Sequence, residues 1–254
     1  SLFAVEDRHF WFRARNRAIA ALVGQIVSGW EQGYRVLEAG CGTGNVLHNL
    51  EKSCPDGRMI GMDLFIEGLK YAARRVSCPL LQANIHTLPF TVRFDLIGLF
   101  DVLEHLPDDV QVLENLHMAL TPGGVLLLTV PAHPSLWSYY DEASCHYRRY
   151  RSAELKSKVI RAGYKIEYIT QYMASIFPLV WLKRRLTGFN QRQLNDDPVR
   201  IRDLAAGEFR ILPIINGILN WILSQEGRLL SRRRRLPIGT SLIAVARKPN
   251  SGSG

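Results

Sequence analysis

Arg35-Val36-Leu37-Glu38-Ala39-Gly40-Cys41-Gly42-Thr43-Gly44-Asn45 reads as a buried strand that turns sharply into a helix. Apolar residues run into an acid, glycines follow at every second position, and an apolar helical pattern opens at Val46 and Leu47. Glycine at such a turn lets the backbone pass close to whatever lies across the strand end. A Gly-x-Gly pattern alone also fits an ordinary tight βα turn. Glu38 narrows the reading, because a carboxylate just ahead of the first glycine suits a ligand carrying a cation and disfavours a pyrophosphate.

Outward from this stretch the chain alternates. Strands are expected over residues 36–39, 58–63, 80–84, 94–100 and 125–130, and helices over 46–52, 67–76 and 108–120. A helix over 154–162, a strand over 164–170 and a last strand over 240–246 complete the pattern. Near-continuous apolar runs separated by helices predict an α/β fold with a parallel sheet buried on both faces, whose ligands sit over the carboxyl ends of the strands.

Composition sets the class. The chain has 254 residues, 47% hydrophobic and 22% charged, which is enough for a sizeable core and argues against wholesale disorder. Its net charge of +9 favours an acidic partner such as nucleic acid, an anionic membrane or a phosphorylated substrate. The four cysteines, Cys41, Cys54, Cys78 and Cys145, lack metal-ligand spacing and read as reduced thiols of a cytoplasmic protein. The opening residues do not read as a signal peptide. The uncharged runs 168–182 and 211–225 have 15 residues each, short of the roughly 20 a spanning helix needs. The expected location is therefore cytoplasmic, with contact at the inner face of a membrane as the peripheral option.

The organisation divides into a helical lid over residues 1–33, a core over 34–172 and 236–249, an insertion over 173–235, and a tag or linker over 250–254. The insertion carries 12 Lys/Arg against 5 Asp/Glu, +7 of the chain's +9, beside long apolar stretches. Within the lid, one helix is expected over residues 2–29. Its Glu6-Asp7-Arg8-His9-Phe10-Trp11-Phe12-Arg13-Ala14-Arg15 segment admits two readings, a helix packed on the core or a lid closing on an aromatic or anionic ligand.

Further motifs recur at strand ends: Gly61-Met62-Asp63, the segment 84–90 with its Leu88-Pro89-Phe90, Phe94-Asp95-Leu96-Ile97, Val102-Leu103-Glu104-His105-Leu106 and Leu120-Thr121-Pro122-Gly123-Gly124. In that order and spacing the chain resembles the class I S-adenosylmethionine-dependent methyltransferases, and among them a broad bacterial small-molecule group. The resemblance spans residues 34–172 and extends to the last strand through the fold. It implies a Rossmann-like seven-stranded sheet, mostly parallel with the last strand antiparallel, helices on both faces, and an N-terminal lid and helical cap. It implies S-adenosylmethionine as cofactor and S-adenosylhomocysteine as product.

The residues agree with it. Asp63 ends the second strand 23 residues after Gly40, where a carboxylate can accept both ribose hydroxyls. Glu38 suits a ligand bearing an ammonium and a sulfonium. By the resemblance, Gly40, Gly42 and Gly44 cradle the cofactor and Leu64 and His105 also bind it, the backbone at Ile85 completes recognition of its adenine, Phe100 lies near its methionine part, and Arg15, or Arg13, clamps its carboxylate. Asn84 stands where family members usually carry Asp, and its carboxamide oxygen can still accept from the adenine amino group.

The acceptor side is read after the fifth strand. Methyl transfer is an in-line displacement in which positioning does most of the work, and a hydroxyl acceptor needs help losing its proton. His146 and His133 are the candidate bases, imidazole being the side chain suited to proton transfer near neutral pH, and Trp11, Trp137, Tyr140 and Arg149 are candidate acceptor contacts. Asp141, His146 and Arg149 also fit a purely structural hydrogen-bond network. Asp101, Glu104 and His105 offer metal ligands on one turn, but no metal is expected. The absence of an Asn/Asp-Pro-Pro-Tyr/Phe run and of a Pro-Cys nucleophile argues against methylation of adenine or glutamine nitrogen and of cytosine carbon. The expected activity is O-methylation of a small-molecule, natural-product or lipid-like acceptor. The alternatives are RNA methylation through the basic insertion and a non-catalytic cofactor-binding scaffold. Nothing in the sequence fixes an oligomeric state.

Overall fold

The computed structural model describes residues 3–191, 207 and 212–250. Seven strands, β1 (Arg35–Ala39), β2 (Arg58–Asp63), β3 (Leu80–Gln82), β4 (Phe94–Phe100), β5 (Leu120–Pro131), β6 (Lys165–Tyr172) and β7 (Ser241–Arg247), form one sheet in the order β3-β2-β1-β4-β5-β7-β6. β7 runs antiparallel to β5 and β6, and the remaining pairs are parallel. Strand order reverses between β1 and β4, and the crevice above that point is where a ligand is expected in an open α/β sheet.

Alternation along each strand divides the core in two. Val36, Leu96 and Val125 face one side with α2 (Phe10–Ile26), α3 (Asn45–Ser53) and α9 (Pro213–Leu230). Leu37, Ile97 and Leu126 face the other with α5 (Asp109–Ala119) and α7 (Ser152–Arg161). The short helices α4 (Ile66–Ala72) and α6 (Tyr139–Ala143) and the longer α8 (Phe177–Gln191) complete the set.

Two expectations change. The helix expected over residues 2–29 is broken into α1 (Phe3–Glu6) and α2, because His9 takes an extended backbone and accepts a hydrogen bond from Trp11 N. The fifth strand begins at Leu120 rather than 125, since Gly123 and Gly124 exchange backbone hydrogen bonds with Lys248 and carry the ladder through the turn. The insertion is not a body apart. Ile176, Leu223 and Leu230 are buried in the α2-side core, and the Glu226 carboxylate accepts from the N–H groups of Ala174 and Ser175. α9 lies along α2, with Arg17 donating to Asn220 Oδ1 at 2.7 Å, and with Asn216 accepting from Phe10 N and donating to Arg8 O. The charges at 192–206 and the tail at 251–254 lie outside the described residues.

One ionic hub fastens the second face. Asp109 Oδ2 accepts from Tyr150 Oη (2.9 Å), Arg148 Nη1 (2.7 Å) and Lys158 Nζ (2.5 Å), tying the 146–150 segment and α7 to the start of α5. Burial alone would raise the Asp109 pKa, but the Lys158 and Tyr150 hydrogen bonds and two cations hold it below the ordinary carboxylate range. A pKa lower in the folded chain stabilises the fold above the unfolded value of about 3.9, and that contribution fades as pH falls through the folded value. Asp109→Asn is expected to cost about 2–3 kcal/mol in urea denaturation at pH 7. Its difference from the wild type should shrink as the pH is lowered below about 4.

Candidate active site

The glycine turn is built by close approach. Gly40 has φ +79°, and a Cβ there would lie 2.4 Å from Val102 Cγ2, just past the end of β4. Gly44 has φ +76° and abuts Ala72 of α4, where a Cβ would lie 2.9 Å from the alanine Cβ. The N–H groups of Gly40 and Cys41 both donate to Met62 O, and Asp63 Oδ2 accepts from Gly42 N at 2.7 Å. Asp63 Oδ1 accepts from Phe65 N at 2.8 Å, so each oxygen keeps a lone pair for a ligand hydroxyl. Leu64 is exposed beside it, Ile85 is buried at the foot of the next loop, and Asn84 Oδ1 already accepts from His86 N. The carboxamide oxygen therefore has one lone pair left.

Behind the turn Glu38 is 2% exposed, and its Oε2 has no hydrogen-bond partner among the described residues. Burial, opposed by Arg15 and aided by Asp63, pushes its carboxyl well above the ordinary range. Arg15 is buried and donates to Asp101 Oδ2 (2.9 Å) and Asn45 Oδ1 (3.3 Å), with Trp11 and Phe12 against its guanidinium. Arg13 is exposed, so of the two arginines the fold brings Arg15 to the site. Asp101 holds φ +53°, unusual for a residue with a side chain, and is fixed there by Arg15 and by Thr129 Oγ1 at 3.0 Å. The α1 segment closes the loop from above. Glu6 accepts from Thr43 Oγ1 (2.6 Å) and Arg75 Nη1 (2.5 Å), and Asp7 accepts from Asn45 and Arg75. Asn45, Glu6 and Arg75 carry no local sequence signal for these roles, which arise only when α1, α3 and the segment after α4 converge.

The second half of the site sits on the 3₁₀ turn Leu103–His105 after β4. Tyr147 N donates to Glu104 O (2.8 Å), Tyr150 Oη to Leu103 O (3.3 Å) and Arg148 to Pro107 O (2.8 Å). These bonds lay the 146–150 segment on the turn and put the His146 ring 4.7 Å from that of His105, at 81°. Tyr140 stands 6.1 Å from His146. Asp141, fully buried, joins the group: its Oδ1 meets His146 Nδ1 at 2.9 Å and Arg149 Nε at 2.7 Å, while Oδ2 accepts from Ser138 N. Burial opposes the Asp141 charge, yet the His146 and Arg149 bonds keep its pKa low, and the carboxylate holds the His146 ring through Nδ1. Burial and then the neighbouring His146 lower the His105 pKa. Burial, with the Asp101 charge adding, raises that of Glu104.

Other expected residues stand apart. His133 Nε2 meets Gln171 Oε1 at 2.6 Å and its ring packs on Phe177, so its contacts are with β6 and α8 rather than with His146. The Phe100 ring folds back over Gly98 into the core, leaving only its backbone at the strand end. Trp137 is half-buried and reaches Glu142 Oε1 at 3.4 Å.

The chain belongs to the methyltransferase domain family, which matches residues 6–169. It is 29% identical over 124 residues to demethylmenaquinone methyltransferase of Lactococcus lactis, covering 46% of this chain and 49% of that protein. It is 33% identical over 110 residues to trans-aconitate 2-methyltransferase of an Azoarcus species, covering 43% and 41%. The chain thus spans about half or less of the length of these curated relatives. The solved structure of an S-adenosylmethionine-dependent methyltransferase of Clostridium acetobutylicum aligns with a TM-score of 0.57 at 12% identity, over 93% of this chain and 92% of that one. The chain carries a methyltransferase domain, and its sheet has the Rossmann-like fold of that solved structure. Its residues fit the cofactor: the unpaired buried carboxylate oxygen of Glu38 suits an ammonium, and Asp63 keeps acceptor capacity for the ribose.

Gly40→Ala introduces a methyl into the Val102 side chain at a left-handed backbone position that costs about 1–2 kcal/mol. S-adenosylhomocysteine binding measured by calorimetry is expected to weaken by about tenfold or more. Adding Val102→Ala should restore part of that loss and leave the backbone share.

Proposed function

We propose that the chain transfers the methyl group of S-adenosylmethionine to a hydroxyl oxygen of a small amphiphilic acceptor met at an anionic lipid surface. The observation that carries the reading is the split character of α9. Leu223, Glu226 and Leu230 face the protein, while Ile214, Ile218 and Trp221, spaced i, i+4, i+7, are 78%, 54% and 66% exposed. α8 exposes Leu179, Trp181, Leu182 and Leu186 alongside Lys183 and Arg185, and Arg232–Arg235 follow α9 on the surface. Apolar faces flanked by cations suit the boundary of an anionic bilayer. No described helix is long and apolar enough to cross a membrane, so the contact is peripheral. The relatives named for demethylmenaquinone and trans-aconitate support a small-molecule acceptor.

In the reaction the acceptor oxygen attacks the methyl carbon in line with the S–C bond, and the bonding pair returns to sulfur. The cofactor side holds the donor through Glu38, Asp63 and the glycine turn. The hydroxyl must lose its proton as the methyl arrives, and the imidazoles of His105 and His146 beside the β4 end are the groups that promote this loss.

Flotation with phosphatidylglycerol vesicles should carry the wild-type chain upward, and Ile214→Ser/Ile218→Ser/Trp221→Ser should stay behind with unchanged S-adenosylhomocysteine affinity. Labelled methyl groups offered with a bacterial lipid extract should enter organic-soluble material. Equal flotation of both proteins would sink the membrane reading, and label found in ribonuclease-sensitive material would move the acceptor to RNA.

A further inference from the structure

Glu104, His105 and His146 meet where the 3₁₀ turn is covered by the 146–150 segment. One ligand atom from each lies within 4.8 Å of the other two. Their orientation is that of groups held for coordination. His146 is fixed through Nδ1 by the buried Asp141 carboxylate, which leaves Nε2 for a ligand. The His105 ring stands edge-on to that of His146, with centroids 4.7 Å apart at 81°. Imidazoles anchored on one nitrogen by a carboxylate or carbonyl are the usual arrangement around a bound metal. Glu104 supplies the independent observation: it is 1% exposed, and its Oε2 has no hydrogen-bond partner among the described residues. A carboxylate oxygen buried without a donor is costly unless something positive meets it.

We propose that Glu104, His105 and His146 bind a divalent first-row transition cation of the Mn²⁺ or Zn²⁺ kind beside the methyl-transfer site, leaving coordination positions for the acceptor oxygen. Two imidazole nitrogens and one carboxylate oxygen suit such ions, whereas Mg²⁺ and Ca²⁺ prefer oxygen ligands throughout. Ligands about 2.1 Å from one ion stand about 3–3.5 Å apart, so side-chain rotations of about 1 Å close the set. The trio differs from the one suggested by the sequence. Asp101 is held by Arg15 and Thr129, and His146, 41 residues further along than His105, takes its place.

The inference rests on the hydroxyl-acceptor reading and deepens it. The acceptor hydroxyl coordinates the cation, its O–H bond breaks with the proton passing to water, and the metal-held oxygen forms the new C–O bond as the S–CH₃ bond breaks with its pair returning to sulfur.

The test is binding of Mn²⁺ to the chelator-stripped full chain, followed by the loss of the free-ion electron paramagnetic resonance signal. One ion per chain is expected, with affinity reduced by about 10–100-fold in Glu104→Gln and in His146→Ala. Unchanged circular dichroism and unchanged S-adenosylhomocysteine affinity would show that both variants fold. Wild-type binding no tighter than that of the variants would overturn the proposal. So would methyl transfer that proceeds undiminished after chelation, an outcome that leaves the methyltransferase reading standing. Tight, variant-sensitive Mn²⁺ binding in a chain that methylates no hydroxyl would uphold the metal site and overturn the acceptor reading instead.

Discussion

Gly40 has no side chain, and Val102 occupies the place one would take. That contact joins the two halves of the site. It lets the turn after β1 and the turn after β4 lie directly against each other at the switch point of the sheet. On the proposed reading Glu38, Asp63 and the glycine turn hold the donor side, and the Leu103–His105 turn begins the acceptor side one residue beyond Val102. A methyl group travels only a short distance in the displacement, so donor and acceptor pockets must share a wall. Here the shared wall is a glycine.

Charge is arranged around that wall with one sign answering another. The Arg15 guanidinium lies between Asp101 and Asn45, near enough to Glu38 to oppose the rise in its pKa. Asp141 is answered by His146 and Arg149, and Asp109 by Arg148, Lys158 and the Tyr150 hydroxyl. Two buried carboxylates, Glu38 and Glu104, are left with an unpaired oxygen among the described residues, one on each side of the wall. The other buried acids among the described residues, Glu6, Asp109, Asp141 and Glu226, each accept hydrogen bonds, and the two with an unpaired buried oxygen lie at the candidate site. That contrast supports reading both as ligand-binding groups.

The helices that cover the site are coupled across almost the whole chain. α2 stands near the start of the described sequence and α9 near its end, yet Asn216 closes the backbone at the start of α2 and Arg17 grips Asn220. The first turns of α2 carry Trp11, Phe12 and Arg15 over the site, while Ile19, Leu22 and Val23 are core residues. The helix thus packs on the core along its second half and brings Arg15 to Asp101 and Asn45 from its first turns. Contact between α9 and a surface would be felt by the helix that carries Arg15.

Much of the architecture was legible in the residues because it depends on local pattern. Apolar runs broken by helical segments specify buried parallel strands, and an acid at the end of β2 after a glycine turn specifies a nucleoside-type ligand. The break between α1 and α2 was not legible, since it depends on His9 and on a side chain from α9. Nor was the identity of Arg15 over Arg13, which differ only in the face of the helix they occupy. His146 was visible as a candidate, as were Asp141 and Arg149 as its network, because they are close in sequence. Its meeting with His105 and Glu104 was not, and the sequence instead grouped Asp101 with them as near neighbours on one turn. The sequence by itself determined the strand order's chemistry and the methyl donor, because those reside in contiguous motifs at strand ends. Only the tertiary structure decided which side chains meet beside the end of β4, because Tyr147, Arg148 and Tyr150 must first fasten one loop onto another before His146 and His105 lie together.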